Sequence, residues 1–143
     1  MPLLPFDLPH VPAPLPAAVA TFLADAQRRI DAWFARPEHR AGIGFIPCEP
    51  LPVFAALAAL RAQDPGARTL LEWGSGFGVV TGLAATLGFT AHGIEIAADL
   101  VAEAEQLLAD HRLRATSAGS DPSGCRAPPA VQGDAADEGN AAE

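Results

Sequence analysis

Positive charge, aromatic side chains and cysteine are all scarce in this 143-residue sequence. Nine Lys and Arg stand against seventeen Asp and Glu, a net charge of −8 with a pI near 4.8. That balance argues against a broad nucleic-acid surface or an anionic-membrane surface. Arg28, Arg29, Arg36, Arg40, Arg61 and Arg68 in the first half leave room for a local basic patch only. Two cysteines, Cys48 and Cys125, make no disulfide framework, and neither stands at metal-ligand spacing from a histidine, so no metal site is read. The start lacks the basic segment and long apolar run of a secretory signal. No apolar run reaches the ~18–20 residues of a membrane span. These absences predict a soluble, cytoplasmic chain. Half the residues are apolar, but alanine inflates that share and aromatics make up only 6%. One domain is the expectation at this length.

What is present is concentrated between Leu70 and Glu95. Thr69 to Trp73 is a short apolar run of the kind that forms a strand buried on both faces. Gly74, Gly76 and Gly78 follow at alternate positions, where they open backbone angles closed to other residues and let a ligand approach the chain. Val79 to Leu87 is apolar all round, as a helix packed between layers would be, and Gly88 is its stop. Thr90 to Ile94 is a second strand ending in Glu95. A glycine turn between strand and helix offers free backbone N–H groups at the positive end of a helix dipole. Glu95, 21 residues after Gly74, is placed to accept hydrogen bonds from ribose hydroxyls. The unit reads as a nucleoside-cofactor site.

Glycine spacing discriminates between cofactors. The dinucleotide fingerprint is G-x-G-x-x-G, and its third glycine position is Val79 here; the third glycine comes one residue early, at Gly78. The pattern is therefore G-x-G-x-G, with Glu72 two residues before its first glycine. At this point the sequence resembles the class I S-adenosylmethionine-dependent methyltransferases, whose first motif is an acid, one residue, then G-x-G-x-G at the end of the first strand. The resemblance covers about Arg68 to His111. It implies S-adenosyl-L-methionine as cofactor and methyl transfer as activity. Gly74, Ser75, Gly76 and Gly78 would cradle the methionyl end through backbone N–H groups, with Glu72 near its amino group. Glu95 would hold the ribose and Ile96 would pack on the adenine. No residue is assigned as catalytic. A nicotinamide- or flavin-binding module is the alternative cofactor reading, disfavoured by Val79 and Glu72.

The rest of the chain is framework. Residues 1–16 hold six of the fourteen prolines and read as an extended arm. Residues 17–66 hold two helices. In the first, over Ala17 to Ala35, Val19, Phe22, Leu23, Ala26, Ile30, Trp33 and Phe34 recur at helical spacing. Arg36 to Gly44 is a polar loop. Phe45 to Glu49 is either a lid over the pocket or a loop packing on the sheet, and Cys48 reads as a buried, inert thiol. The second helix runs from about Leu51 to Ala62, and Asp64-Pro65-Gly66 is a turn. Residues 67–114 are the βαβα cofactor unit, closed by a helix over Asp99 to His111 in which Glu103 and Glu105 are solvated surface.

Residues 115–143 carry Val131 as their single bulky aliphatic, no aromatic, and five acids against Arg126. They are read as a disordered, low-complexity tail. Gly133-Asp134 within it resembles the Gly-Asp that contacts adenine after the third strand in the family. The fold class expected is α/β: a partial Rossmann-like methyltransferase fold, a βαβα core behind two helices. It holds two of the family's seven strands, as if truncated after the second strand and its helix. Two functional classes follow. The chain is a methyltransferase's cofactor-binding part, or a non-catalytic protein, either a truncated, degraded remnant that does not turn over alone or one that needs a partner chain to complete its sheet.

Overall fold

Residues 14–39 and 45–119 are described by a computed structural model. The arm before Pro14, the loop positions 40–44, and everything beyond Gly119, including Cys125 and Gly133-Asp134, lie outside the described residues. The elements are α1 (Ala17–Ala35), a 3₁₀ turn (Pro37–His39), α2 (Pro50–Gln63), β1 (Thr69–Trp73), α3 (Val79–Thr86), β2 (Thr90–Glu95), α4 (Ala98–Asp110) and β3 (Ala115–Gly119). The architecture is mixed α/β.

Local chemistry sets most boundaries. Proline opens α2 in its first turn, where its missing N–H removes no helical bond. Residue Arg36, ahead of Pro37, leaves the helical region for extended backbone and ends α1. Gly88 closes α3 in the left-handed region, at φ 83°. Arg112 takes that role after α4 at φ 54°, its N–H bonded to the Ala109 carbonyl at 2.9 Å.

The strands form one parallel sheet in the order β1-β2-β3, with Leu71 beside His92 and His92 beside Thr116. Composition places Ala115 to Gly119 in the disordered tail; this is corrected here, because the segment is the third strand. Its side chains are small and polar, so it carries no apolar signal. The ladder to β2 and the packing of Ser117 against the helices hold it instead.

A second correction concerns β1, which is not buried on both faces. Thr69, Leu71 and Trp73 are exposed while Leu70 and Glu72 are half-buried. Successive right-handed crossovers in one direction put α3 and α4 on the same side of the sheet. Helices α1 and α2 pack there too: Val19, Phe22, Phe54, Leu57, Leu83 and Leu107 join Ala91 of β2 in a single core. Phe22 lies so close over Gly82 of α3 that a Cβ there would come within 2.2 Å of its ring. Beside this core, Ile30, Trp33, Phe77 and Leu100 form a second, largely aromatic cluster beneath the glycine turn.

α1 is clamped to the C-terminal end of α4 by charge. Asp25 accepts from Arg28, Arg29 and the Nε2 of His111, the last at 3.1 Å, while Arg29 also donates to Asp110. His111 therefore does more than complement the helix dipole; it also meets Phe22 edge-on, ring centres 5.3 Å apart. Glu103, expected at the surface, pairs with Arg36 at 3.3 Å.

Burial raises the Asp25 carboxyl, but hydrogen bonds from Arg29, His111 and Arg28 outweigh it and bring its pKa down to about 2. A folded-state value below the unfolded one means stability that is complete above pH ~4 and is lost as pH falls toward ~2. We expect Asp25→Asn to lower stability at neutral pH by about 1–2 kcal/mol. The variant's melting temperature should also lose the wild type's steep fall between pH ~4 and ~2. Parallel melting curves for the two proteins would show that the clamp contributes nothing.

Candidate functional site

The glycine turn sits where β1 meets α3, and all three glycines need their lack of a side chain. Gly74, Gly76 and Gly78 have φ of 68°, 52° and 69°, the left-handed region that strains any other residue. Gly78 also brings the start of α3 against α4, since a Cβ there would lie 3.2 Å from that of Ala104. Gly76 lies under the ring of Phe45, which a Cβ would approach to 2.4 Å. Gly93 in β2 leaves room for Ser75 and Thr81 above the sheet.

The turn's N–H groups are not free, contrary to the expectation from motif alone. Those of Gly74 and Ser75 both donate to the Ile94 carbonyl, at 2.7 and 3.0 Å. Gly78 donates to the Ser75 carbonyl at 2.7 Å, and Gly76 donates to Oε2 of Glu95 at 2.9 Å. Folding the turn tightly against the tip of β2 uses these donors itself. Close approach along the turn remains available; donation from these four groups does not.

Glu95 is buried, at 7% exposure, and is the centre of the arrangement. Its Oε1 accepts from the N–H groups of Ile96 and Ala97 at 2.7 and 2.9 Å, and its Oε2 from Gly76. A carboxylate offers about four lone-pair sites, so one on Oε2 is left for an incoming hydroxyl. Glu72 has a different task. Its Oε2 accepts from both the N–H and the hydroxyl of Thr81, at 2.9 and 2.6 Å, and so caps the first turn of α3 from the neighbouring strand. Burial pushes the Glu72 pKa up against those two bonds, and the charge of Glu95 adds to the rise.

Two cavities flank Phe45. The larger, about 420 Å³, is lined by Phe45, Ile46, Gly74, Glu95, Ile96 and Leu100, so it joins one acid to a largely apolar wall. The smaller, about 70 Å³, is bordered by Glu72, Ser75, Cys48 and Gln27 among apolar neighbours. The Ser75 hydroxyl is buried and has no hydrogen-bond partner. Ile96 stands at the mouth of the larger cavity, 73% exposed. The structure thus brings Glu95 and Ile96 to one cavity and Glu72 and Ser75 to the other, with Gly74 bordering both, while Gly76 and Gly78 are buried.

Phe45 belongs to neither expected form of its segment alone. Its ring lies on the glycine turn and among Trp33, Phe34 and Phe77, while Ile46 is 86% exposed at the cavity rim. Cys48 is exposed, not buried, because its extended segment runs along the cavity rim. Partial desolvation and the negative charge of Glu72 push its thiol pKa up, which keeps it protonated and unreactive. Pattern reading missed Thr81 and Phe45 as organisers of the turn. Thr81 carried a usable signal, since it is the third residue of a helix whose cap position is a glycine with no side chain to do the capping. His92, in mid-strand, lies on the face away from both cavities and meets Thr116 Oγ1 at 2.7 Å. Among the described residues no group of acids, histidines and cysteines could hold a metal ion, and no helix is long and apolar enough to cross a membrane. The chain matches no known protein-family model and no curated protein sequence.

The two tasks of Glu72 separate by substitution. Glu72→Ala removes the cap of α3 and should cost about 1 kcal/mol of stability. Glu72→Gln keeps the acceptor and removes the charge. A raised folded-state pKa means that ionisation of Glu72 opposes folding, so the wild type should lose stability relative to the Gln variant as pH rises above ~4.5. Urea unfolding at pH ~5 and ~8 reads this directly; a constant difference between the two proteins would refute it.

Proposed function

We propose that the chain binds S-adenosyl-L-methionine and serves methyl transfer as the cofactor-binding part of a class I methyltransferase, built on a partial Rossmann-like fold. The observation that carries this reading is the pairing of a G-x-G-x-G turn with an acid, Glu95, that both seals the turn and borders a 420 Å³ cavity. A cavity of that volume is in the range of small-molecule sites, and this one joins a single hydrogen-bonding acid to an apolar wall, as a nucleoside requires.

In this reading the remaining lone pair of Glu95 Oε2 accepts from a ribose hydroxyl, and Ile96 covers one face of the adenine. The methionyl end runs past Phe45 toward Glu72, whose carboxylate attracts its ammonium group. The turn contributes close backbone approach at Gly74 in place of donated N–H bonds. The cofactor supplies an electrophilic methyl on a sulfonium, and the protein's part is to hold it in line with an acceptor and away from water.

A second reading keeps the same descent without turnover, and the three-stranded sheet favours it. Cofactor crevices in doubly wound sheets lie where strand order reverses, with strands on both sides. β1 has a strand on one side only among the described residues. In that case a partner chain would complete the sheet and supply the acceptor site.

The test is calorimetric titration of the purified chain with S-adenosylhomocysteine and with NAD. Micromolar affinity for the first and none for the second is expected. Glu95→Gln should weaken it about 10- to 100-fold through loss of a charged hydrogen bond. Melting curves of the variant must accompany the titration, because Gln cannot accept all three N–H bonds. A folded wild type that binds neither compound would end the proposal.

A further inference from the structure

Among the described residues, three buried side-chain atoms have no hydrogen-bond partner: Trp33 Nε1, Ser75 Oγ and Ser117 Oγ. Of these residues only Ser75 borders either cavity beside Phe45, namely the smaller one of about 70 Å³, which it shares with Glu72. Ser75 is 5% exposed, so its hydroxyl is cut off from bulk water. A buried hydroxyl left unpaired opposes folding. The turn itself does not call for one. The Ser75 N–H already bonds the Ile94 carbonyl, and its backbone lies outside the left-handed region. Alanine would fill the position without that cost.

The sheet makes room for this side chain at a further cost. Gly93 lies within β2, and glycine inside a strand weakens it. A Cβ there would come within 2.7 Å of both the Cβ and the Oγ of Ser75. A mid-strand glycine and an unpaired hydroxyl are accounted for together if the hydroxyl serves a group that enters the cavity.

The lining selects the chemistry of that group. Glu72 takes both bonds from Thr81 on Oε2, which leaves Oε1 as an acceptor. An ammonium carries three donors and no acceptor, so it can bond a carboxylate and a hydroxyl together. An anionic group in the same place would meet the charge of Glu72 at short range.

We propose that Ser75 acts through its side chain, as a specificity-determining residue whose hydroxyl accepts from the ligand's ammonium group beside Glu72. This rests on the reading of the site as one for S-adenosyl-L-methionine and departs from it at one point. The resemblance implies a role for the Ser75 backbone N–H, and the fold has already used that donor.

Calorimetric titration of the full chain and of Ser75→Ala tests this with two ligands, S-adenosylhomocysteine and its analogue lacking the α-amino group, the weaker ligand being measured by displacement. Wild type should prefer the first. Ser75→Ala should weaken S-adenosylhomocysteine about 10-fold and leave the analogue unchanged, because a hydrogen bond to a charged group is lost only where the ammonium is present. Its melting temperature without ligand should equal or exceed that of the wild type, since the deleted hydroxyl has no partner to lose. Undiminished affinity of Ser75→Ala for S-adenosylhomocysteine would overturn the proposal and leave the cofactor reading in place. So would equal weakening of both ligands, with or without a lower melting temperature, because the hydroxyl would then support the turn and not the ammonium. A folded wild type that binds neither ligand would end the cofactor reading and this inference with it.

Discussion

Three backbone N–H groups converge on one buried carboxylate, and the functional end of this molecule depends on that convergence. Glu95 accepts from Gly76, Ile96 and Ala97, which ties the turn after β1 to the tip of β2 and to the start of α4. An unpaired carboxylate at this depth would be costly, and the three donors remove that cost. The same bonds constrain the turn. Gly76 must present its N–H inward, which the left-handed angle at φ 52° achieves, and Phe45 then settles on the bare Cα. A cavity wall, a fixed turn and a hydrogen-bonding acid all follow from one side chain.

Glu72 works on the same turn from the other strand, with the opposite electrostatic outcome. By capping α3 through Thr81 it gains two hydrogen bonds, yet burial and the nearby charge of Glu95 make its ionised form less favourable. Burial sets most of that cost, and the like charge of Glu95 adds to it. A cationic ligand group in the smaller cavity would relieve that cost, which is the physical content of assigning Glu72 to an ammonium. The arrangement is more specific than the glycines themselves, because glycine turns occur wherever a strand must pass quickly into a helix.

Among the described residues, helices cover one face of the parallel sheet and none covers the other. Crossover handedness puts α3 and α4 on a single side, α1 and α2 pack there too, and that side holds a continuous core from Val19 to Leu107. Nothing in the described residues answers Trp73 and Leu71 on the other side. Apolar side chains of that size on an open sheet are a liability for a monomer and an asset for an assembly.

The amino-acid sequence by itself determined the helices and the chemistry of the turn. Periodicity over Ala17–Ala35 marked the stripe that is buried, the proline at the start of α2 and the glycine after α3 marked boundaries, and the spacing from Gly74 to Glu95 placed the acid at a strand tip. These are local or short-range properties, written in the period of apolar residues and in backbone angles. Only the tertiary structure decided what the turn's N–H groups bond to, which face of β1 is covered, and that Ala115–Gly119 is a strand. Each depends on partners distant in the chain. The Ile94 carbonyl and Glu95 carboxylate take the donors, crossover handedness chooses the face, and a ladder to β2 makes a strand of five residues with no apolar pattern of their own.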